Sequence, residues 1–145
     1  MKIFIGADHA GFKLKEKLKI YLNKKYKLTD LGNKKFDIKD DYPKFATKVA
    51  KEVAKSKSSI GILICGSGQG VCIVANKTKG IRAALAENTR DAKLSRKDDN
   101  SNIVCLQGRY TSYFKSKRIV NKFIKTKFSK AKKYHRRVNQ ISRLK

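Results

Sequence analysis

Acidic residues are scarce in this chain, and none follows Asp99. Only 11 stand against 37 lysines and arginines, a formal net charge of +26 over 145 residues. Such an excess raises nucleic-acid binding as the first candidate. Most of it is lysine, however, spread along the chain rather than gathered in one arm, with no aromatics interleaved with base-reading arginines. That distribution implies nonspecific adhesion at low salt and no specific nucleic-acid partner. Cysteines number three, an odd count without C-x-x-C spacing, which argues against a disulfide framework and a zinc site. No apolar run approaches the roughly 18 residues of a membrane span. The N-terminal stretch meets an acid at Asp8, too early for a signal-peptide core. A reducing cytoplasm is the expected compartment, with no membrane partner. Repeats, linkers and composition breaks are also missing, so residues 1–145 read as one domain, long enough to bury a core.

What is present centres on residues 60–70, I-G-I-L-I-C-G-S-G-Q-G. Residues 60–64 form a short apolar run with β-branched side chains, suited to a strand buried on both faces of a parallel sheet. Gly66, Gly68 and Gly70 then surround Ser67 and Gln69 before a helical stretch over 71–76. A strand, a glycine turn and a helix start leave backbone N–H groups converging on one point, which favours an anion. Cys65 sits at the strand's carboxyl end, where parallel sheets meet their ligands.

Elsewhere, residues 2–6 read as a first strand ending near Asp8 and His9, one of only two histidines. Gly6 and Gly11 have the outer spacing of a P-loop, but Phe12-Lys13 replaces the required Lys-Ser/Thr and rejects that motif. Helical spacing covers 12–25, and a second strand spans 26–31. A third helix-like pattern opens at Asp40-Asp41-Tyr42-Pro43, with the acids expected as caps and Pro43 in the first turn. Residues 81–85 and 103–106 predict two more strands, 88–97 a short helix and 111–125 an amphipathic one; 130–145 is a wholly basic tail. Cys72 and Cys105 read as small core hydrophobes. Strands alternating with helices predict an α/β fold: a Rossmann-like, open, five-stranded parallel sheet with helices on both faces and a C-terminal helix or tail.

Several motifs coincide in order: D-H-A-G-F-K-L-K at residues 8–15, D-Y-P at 41–43, I-L-I-C-G-S-G-Q-G at 62–70, A-N-K at 75–77, G-I-R-A-A at 80–84 and G-R at 108–109. Together they resemble the ribose-5-phosphate isomerase B family, which includes galactose-6-phosphate isomerase subunits. The resemblance implies an aldose–ketose isomerase that works through a cis-enediolate without metal or organic cofactor. It implies a homodimer or dimer of dimers whose sites lie between subunits. Cys65 matches the family's base, taking a proton from C2 and returning it to C1. Thiols, with a reference pKa of about 8.5, are mostly protonated at neutral pH, and a helix N-terminus raises the thiolate share. By the same resemblance Gly66, Gly68 and Gly70 donate backbone N–H bonds to the enediolate oxygen, and Ser67 passes protons between O1 and O2. Asp8 and Tyr42 match sugar contacts. His9, Arg109 and Arg137 match phosphate contacts, the arginines reaching across from a partner subunit.

Two departures stand out. After Ser95-Arg96 the family usually has a His-Asn pair, in which the His opens the furanose ring; here Asp98 takes the His position and Asp99 the Asn position. An ordinary carboxylate is a weak base beside an imidazole. Near the C-terminus a Gly-Gly-Arg-His run gives way to a segment one residue longer, in which Lys132 or Lys133 stands in for one phosphate arginine. These features leave three readings: an isomerase of ribose 5-phosphate, an isomerase of allose or galactose 6-phosphate, and a sugar-phosphate binder without turnover.

Overall fold

The switch of hydrophobic rhythm between two and about 3.6 residues is followed by the folded elements. In the structure, a computed structural model that describes residues 1–144, strands and helices alternate. They run β1 (Lys2–Ala7), α1 (Phe12–Asn23), β2 (Lys27–Asp30), α2 (Tyr42–Ala54), β3 (Ile60–Cys65) and α3 (Gln69–Asn76). The chain continues through β4 (Ala83–Leu85), α4 (Thr89–Asp99), β5 (Ile103–Gln107), α5 (Tyr113–Lys125) and α6 (Lys132–Arg143). The five strands are parallel, in the order β2-β1-β3-β5-β4.

Side-chain alternation sorts the core into two layers. Ile3, Ile5, Ile62, Ile64, Val104 and Leu106 pack on one face with Leu18 of α1 and Phe123 of α5. Phe4, Leu63, Ile103 and Cys105 pack on the other with Val49 and Val53 of α2 and Val71 of α3. From β1 the chain moves to β2 at one side of the sheet, and from β3 it moves to β4 at the other. The crevice outside the carboxyl ends of β1 and β3 is therefore the switch point where open α/β sheets bind ligands.

The structure moves several expected boundaries. β2 is shorter than residues 26–31, although Leu31 N–H still donates to the Ile5 carbonyl. β4 begins at Ala83 because Ile81 N–H turns back to Thr78 and Arg82 N–H is held by the Asn102 side chain. α4 starts behind Asn88, which caps it by accepting from Arg90 and Asp91 N–H. It runs on through Asp98 and Asp99 to Asn100, whose left-handed backbone (φ 50°) stops it. The basic tail contains a full helix, α6, that buries Val138 and packs against α4. At α2 the expected acid cap is absent: Asp41 occupies the cap position without a side-chain bond, although Pro43 does lie in the first turn. At the sheet's edge, the Asn76 amide pairs with both backbone groups of Ala83, accepting from its N–H at 2.8 Å and donating to its carbonyl at 2.9 Å.

Lys15 has no exposed side-chain surface, which its place in a basic chain conceals. Its ammonium lies 2.7 Å from Asp30 Oδ2, and Lys19 reaches the same oxygen at 2.7 Å. Asp30 Oδ1 accepts from Gly32 N–H at 2.9 Å, so the pair ties α1 to the end of β2. Burial alone would raise the Asp30 carboxyl, but the two lysines outweigh it and hold the group below its ordinary value. A depressed carboxyl stabilises the fold above its unfolded pKa and loses that contribution as pH falls through the folded value. Glu16 Oε1 also meets the Lys15 ammonium, at 2.5 Å, so Asp30→Asn leaves it only this partly exposed carboxylate and should cost about 2 kcal/mol in urea unfolding at pH 7. The difference from wild type should shrink below about pH 4. A cost within the roughly 1 kcal/mol of a surface pair would show that Lys15 needs no such partner.

Candidate active site

Three loops leave the carboxyl ends of β1, β3 and β5 and crowd against one another. Gly108 N–H donates to the Cys65 carbonyl at 2.8 Å and Arg109 N–H to the Gly66 carbonyl at 3.1 Å, extending the β5–β3 pairing past the strands. On its other side Gly108 lies so near the first loop that a Cβ there would stand 2.6 Å from the Ala10 carbonyl. Between these loops opens a cavity of about 300 Å³.

From β3, Cys65 brings its thiol to the cavity wall with 4% of its surface exposed, and Gly66, Ser67 and Gly70 continue the wall. Gly68 caps α3 with a left-handed backbone (φ 76°), and a Cβ there would lie 2.6 Å from Leu85 Cδ1, so a side chain is doubly excluded. The turn delivers the first N–H groups of α3, which have no acceptor within the helix, next to Cys65. Ser67 Oγ is 3.4 Å from Gln69 N, a weak hold that leaves the hydroxyl available. The Tyr42 ring from α2 packs against Gly70, and the Arg109 side chain lies over Gly66.

From β1 come Asp8, His9 and Ala10. Asp8 is 5% exposed; burial pushes its carboxyl above the ordinary value, partly offset by the bond from Gly11 N–H to Oδ1 at 3.1 Å. His9 is joined through Nδ1 to Asp40 Oδ1 at 2.9 Å. That bond raises the imidazole above its ordinary value against an opposing effect of burial.

The structure thus brings together Asp8, His9, Tyr42, Cys65, Gly66, Ser67, Gly70 and Arg109 in one chain, with Gly68 shaping the turn. Arg109 needs no partner subunit to arrive, contrary to the expectation, because its backbone bond to Gly66 fixes it beside its own Cys65. Asp98, Asp99, Lys133 and Arg137 do not line this cavity. Asp98 and Asp99 end α4, and a crossover helix in a parallel sheet runs back toward the strands' amino ends, away from Cys65. Asp99 lines a separate cleft there with Arg82 and Arg143, while one Asp98 oxygen is buried without a partner among the described residues. Lys133 and Arg137 are exposed on α6.

Other residues escape sequence reasoning. Tyr110, 71% exposed, stands at the cavity rim, signalled only by its place after Gly108-Arg109. Cys72, expected in the core, is half-buried, and the neighbouring Cys105 thiol lowers its pKa to about 7, whereas burial pushes Cys105 up. No described residues cluster as metal ligands, and no described helix is long and apolar enough to cross a membrane.

Comparison with known proteins gives one consistent family. A family model described as Ribose/Galactose Isomerase matches residues 3–141. A probable ribose-5-phosphate isomerase B of Mycoplasma genitalium is 43% identical over 143 residues, covering 97% of this chain and 93% of the relative. A crystal structure of ribose-5-phosphate isomerase B from Mycoplasma genitalium with bound ribulose-5-phosphate superposes with a TM-score of 0.93 at 42% identity, covering 98% of this chain and 94% of that one. A galactose-6-phosphate isomerase subunit of Clostridium acetobutylicum is 32% identical, covering 99% of this chain and 83% of the relative. With the match running from β1 into α6 and the parallel sheet shared, the chain belongs to the ribose/galactose isomerase family.

Proposed function

We propose that this chain is an aldose–ketose isomerase that interconverts ribose 5-phosphate and ribulose 5-phosphate. The observation that carries the reading is a thiol, a helix N-terminus and a guanidinium converging on one cavity: Cys65, the start of α3 and Arg109. The phosphate is held at Arg109 and His9. The Cys65 thiolate removes the C2 proton, giving an enediolate, and returns the proton to C1. Backbone N–H groups of the loop spanning Gly66, Gly68 and Gly70 meet the negative oxygen, an electrostatic arrangement typically worth a few kcal/mol per donor. Ser67 carries the proton between O1 and O2, while Asp8 and Tyr42 hold the sugar hydroxyls. The reaction is redox-neutral, and these residues accomplish it without a cofactor. The names borne by the Mycoplasma genitalium relatives favour ribose 5-phosphate, and the Clostridium acetobutylicum relative keeps a galactose 6-phosphate as second reading. A binder without turnover is the alternative if no sugar phosphate reacts.

The site is completed by a second copy in a homodimer or dimer of dimers. Support comes from α4 and α6: Asp98, Asp99, Lys133 and Arg137 lie away from the cavity of their own chain. As contributions from a partner, Lys133 and Arg137 supply phosphate charge and Asp98 the place of a ring-opening base. Cytoplasmic location, free of membrane or specific nucleic-acid partners, goes with this reading.

Cys65→Ser should lower kcat by at least about a hundredfold with sugar-phosphate binding nearly intact, and full activity would remove the cysteine mechanism. Iodoacetamide should inactivate, and substrate should protect. Because Cys72 offers a competing thiol, the labelling belongs in a Cys72→Ala background, with the modified residue mapped. Arg137→Ala and Cys65→Ala, each inactive, should recover about a quarter of wild-type activity when mixed as exchanging dimers. No recovery despite demonstrated exchange would place both residues in one chain's site. Asp98→His should raise kcat on ribose 5-phosphate at least about tenfold, since imidazole near pKa 6.5 is a better base than a carboxylate near 3.9. Ribulose 5-phosphate, with no furanose ring to open, should respond little. A neutral or harmful effect in both directions would dismiss a missing ring-opening base.

A further inference from the structure

Asp40 reads from the sequence as a helix cap, yet it caps nothing: α2 starts at Tyr42 behind Asp41, with no side-chain bond at the cap. Its carboxylate instead collects three donors. Oδ1 accepts the His9 backbone N–H at 2.7 Å and the His9 ring Nδ1 at 2.9 Å, while Oδ2 accepts Asn33 Nδ2 at 2.6 Å. An ionised carboxylate only accepts, so Nδ1 carries the proton in this bond. Asn33 is 7% exposed, and its Oδ1 is buried without a partner among the described residues, so its amide is committed to Asp40 alone. Phe36 stands edge-on to the imidazole, at 90° and 6.4 Å between ring centres, limiting its swing. The ring's remaining polar atom, Nε2, has no bond among the described residues, and His9 lines the Cys65 cavity.

We propose that Asp40, braced by Asn33, is the positioning residue for His9, fixing the imidazole with Nε2 turned into the cavity to hold the phosphate of the sugar phosphate. This rests on the isomerase reading above. Two carboxylate bonds to one residue, at backbone and ring, set both the place and the rotation of the imidazole, as carboxylates behind metal-ligating histidines do. The bond also favours imidazolium, the form that binds a phosphate dianion with charge assistance. Around the ring stand Asp8 from β1, which adds to that preference, and Arg109 from the loop after β5, which shares the phosphate. Cys65, Tyr42 and Tyr110 complete the titratable groups lining the cavity.

The chain has only two histidines, His9 and His135, so imidazole NMR can follow each separately. In wild type His9 should titrate above about 6.5, and Asp40→Asn, which keeps the shape and removes the charge, should bring it down while His135 stays in place. The KM for ribose 5-phosphate should rise as pH climbs through the His9 value, because the imidazolium is lost. In Asp40→Asn that rise should begin at lower pH, with KM about tenfold higher at neutral pH and kcat within about twofold. Asn33→Ala should move both readouts the same way by less, and it serves where Asp40→Asn fails to fold. An unmoved His9 titration, or a loss confined to kcat with the KM profile unchanged, would overturn the proposal. If wild type does not turn over ribose 5-phosphate, the isomerase reading fails separately. Inorganic phosphate then decides the clamp: it should shift the His9 resonances of wild type and much less those of Asp40→Asn, and an absent or equal shift rejects it.

Discussion

Close backbone contact between loops, more than any side-chain bond, governs the site. Gly108 sits where even a methyl group would strike the Ala10 carbonyl, and its N–H is spent on the Cys65 carbonyl. The loops after β1, β3 and β5 are thereby pressed into one block. The direction of α3, the place of Arg109 and the depth of Asp8 all follow from that contact. Since backbone hardly compresses, the cavity's dimensions are fixed before any ligand arrives, which is what electrostatic catalysis requires.

The same topology limits what one chain can bring to its own site. Crossover helices begin beside the carboxyl ends of the strands and end at the opposite side. A residue at a helix start, such as Tyr42 or Gly70, can join Cys65, whereas the last turn of α4 cannot. Accordingly, Cys65, Arg109 and the loop after β1 gather at one end of the sheet, and the acids that close α4 lie at the other. The basic α6 rests against α4, so the two elements are presented together as a unit.

Much of the fold is legible in the sequence because the strands are short, apolar and punctuated by glycine or polar turns. Residues 60–65 show this best, buried throughout as their composition demands. Legibility fails where a side chain replaces local chemistry with a long-range bond. Asp40 has every local mark of a cap, yet its partners lie 31 residues before it at His9 and 7 before it at Asn33. Lys15 looks like one more surface lysine in a helix of lysines until Asp30 draws it inside. Arg109 stands in the sequence only as a match to a family motif, and its place beside Cys65 depends on strand register, which no motif displays. The end of α4 depends on Asn100 accepting a left-handed backbone, a choice that composition barely signals.

The Asn76 amide occupies both backbone groups of Ala83. An outermost strand ordinarily offers its unpaired amides and carbonyls to any extended segment nearby. Here a side chain serves as a surrogate neighbour and ends the ladder from within the molecule. A nascent or partly unfolded copy meeting β4 finds no vacancy at Ala83 onto which it can zip. The Asn of the A-N-K motif thus blunts this edge of the sheet at Ala83.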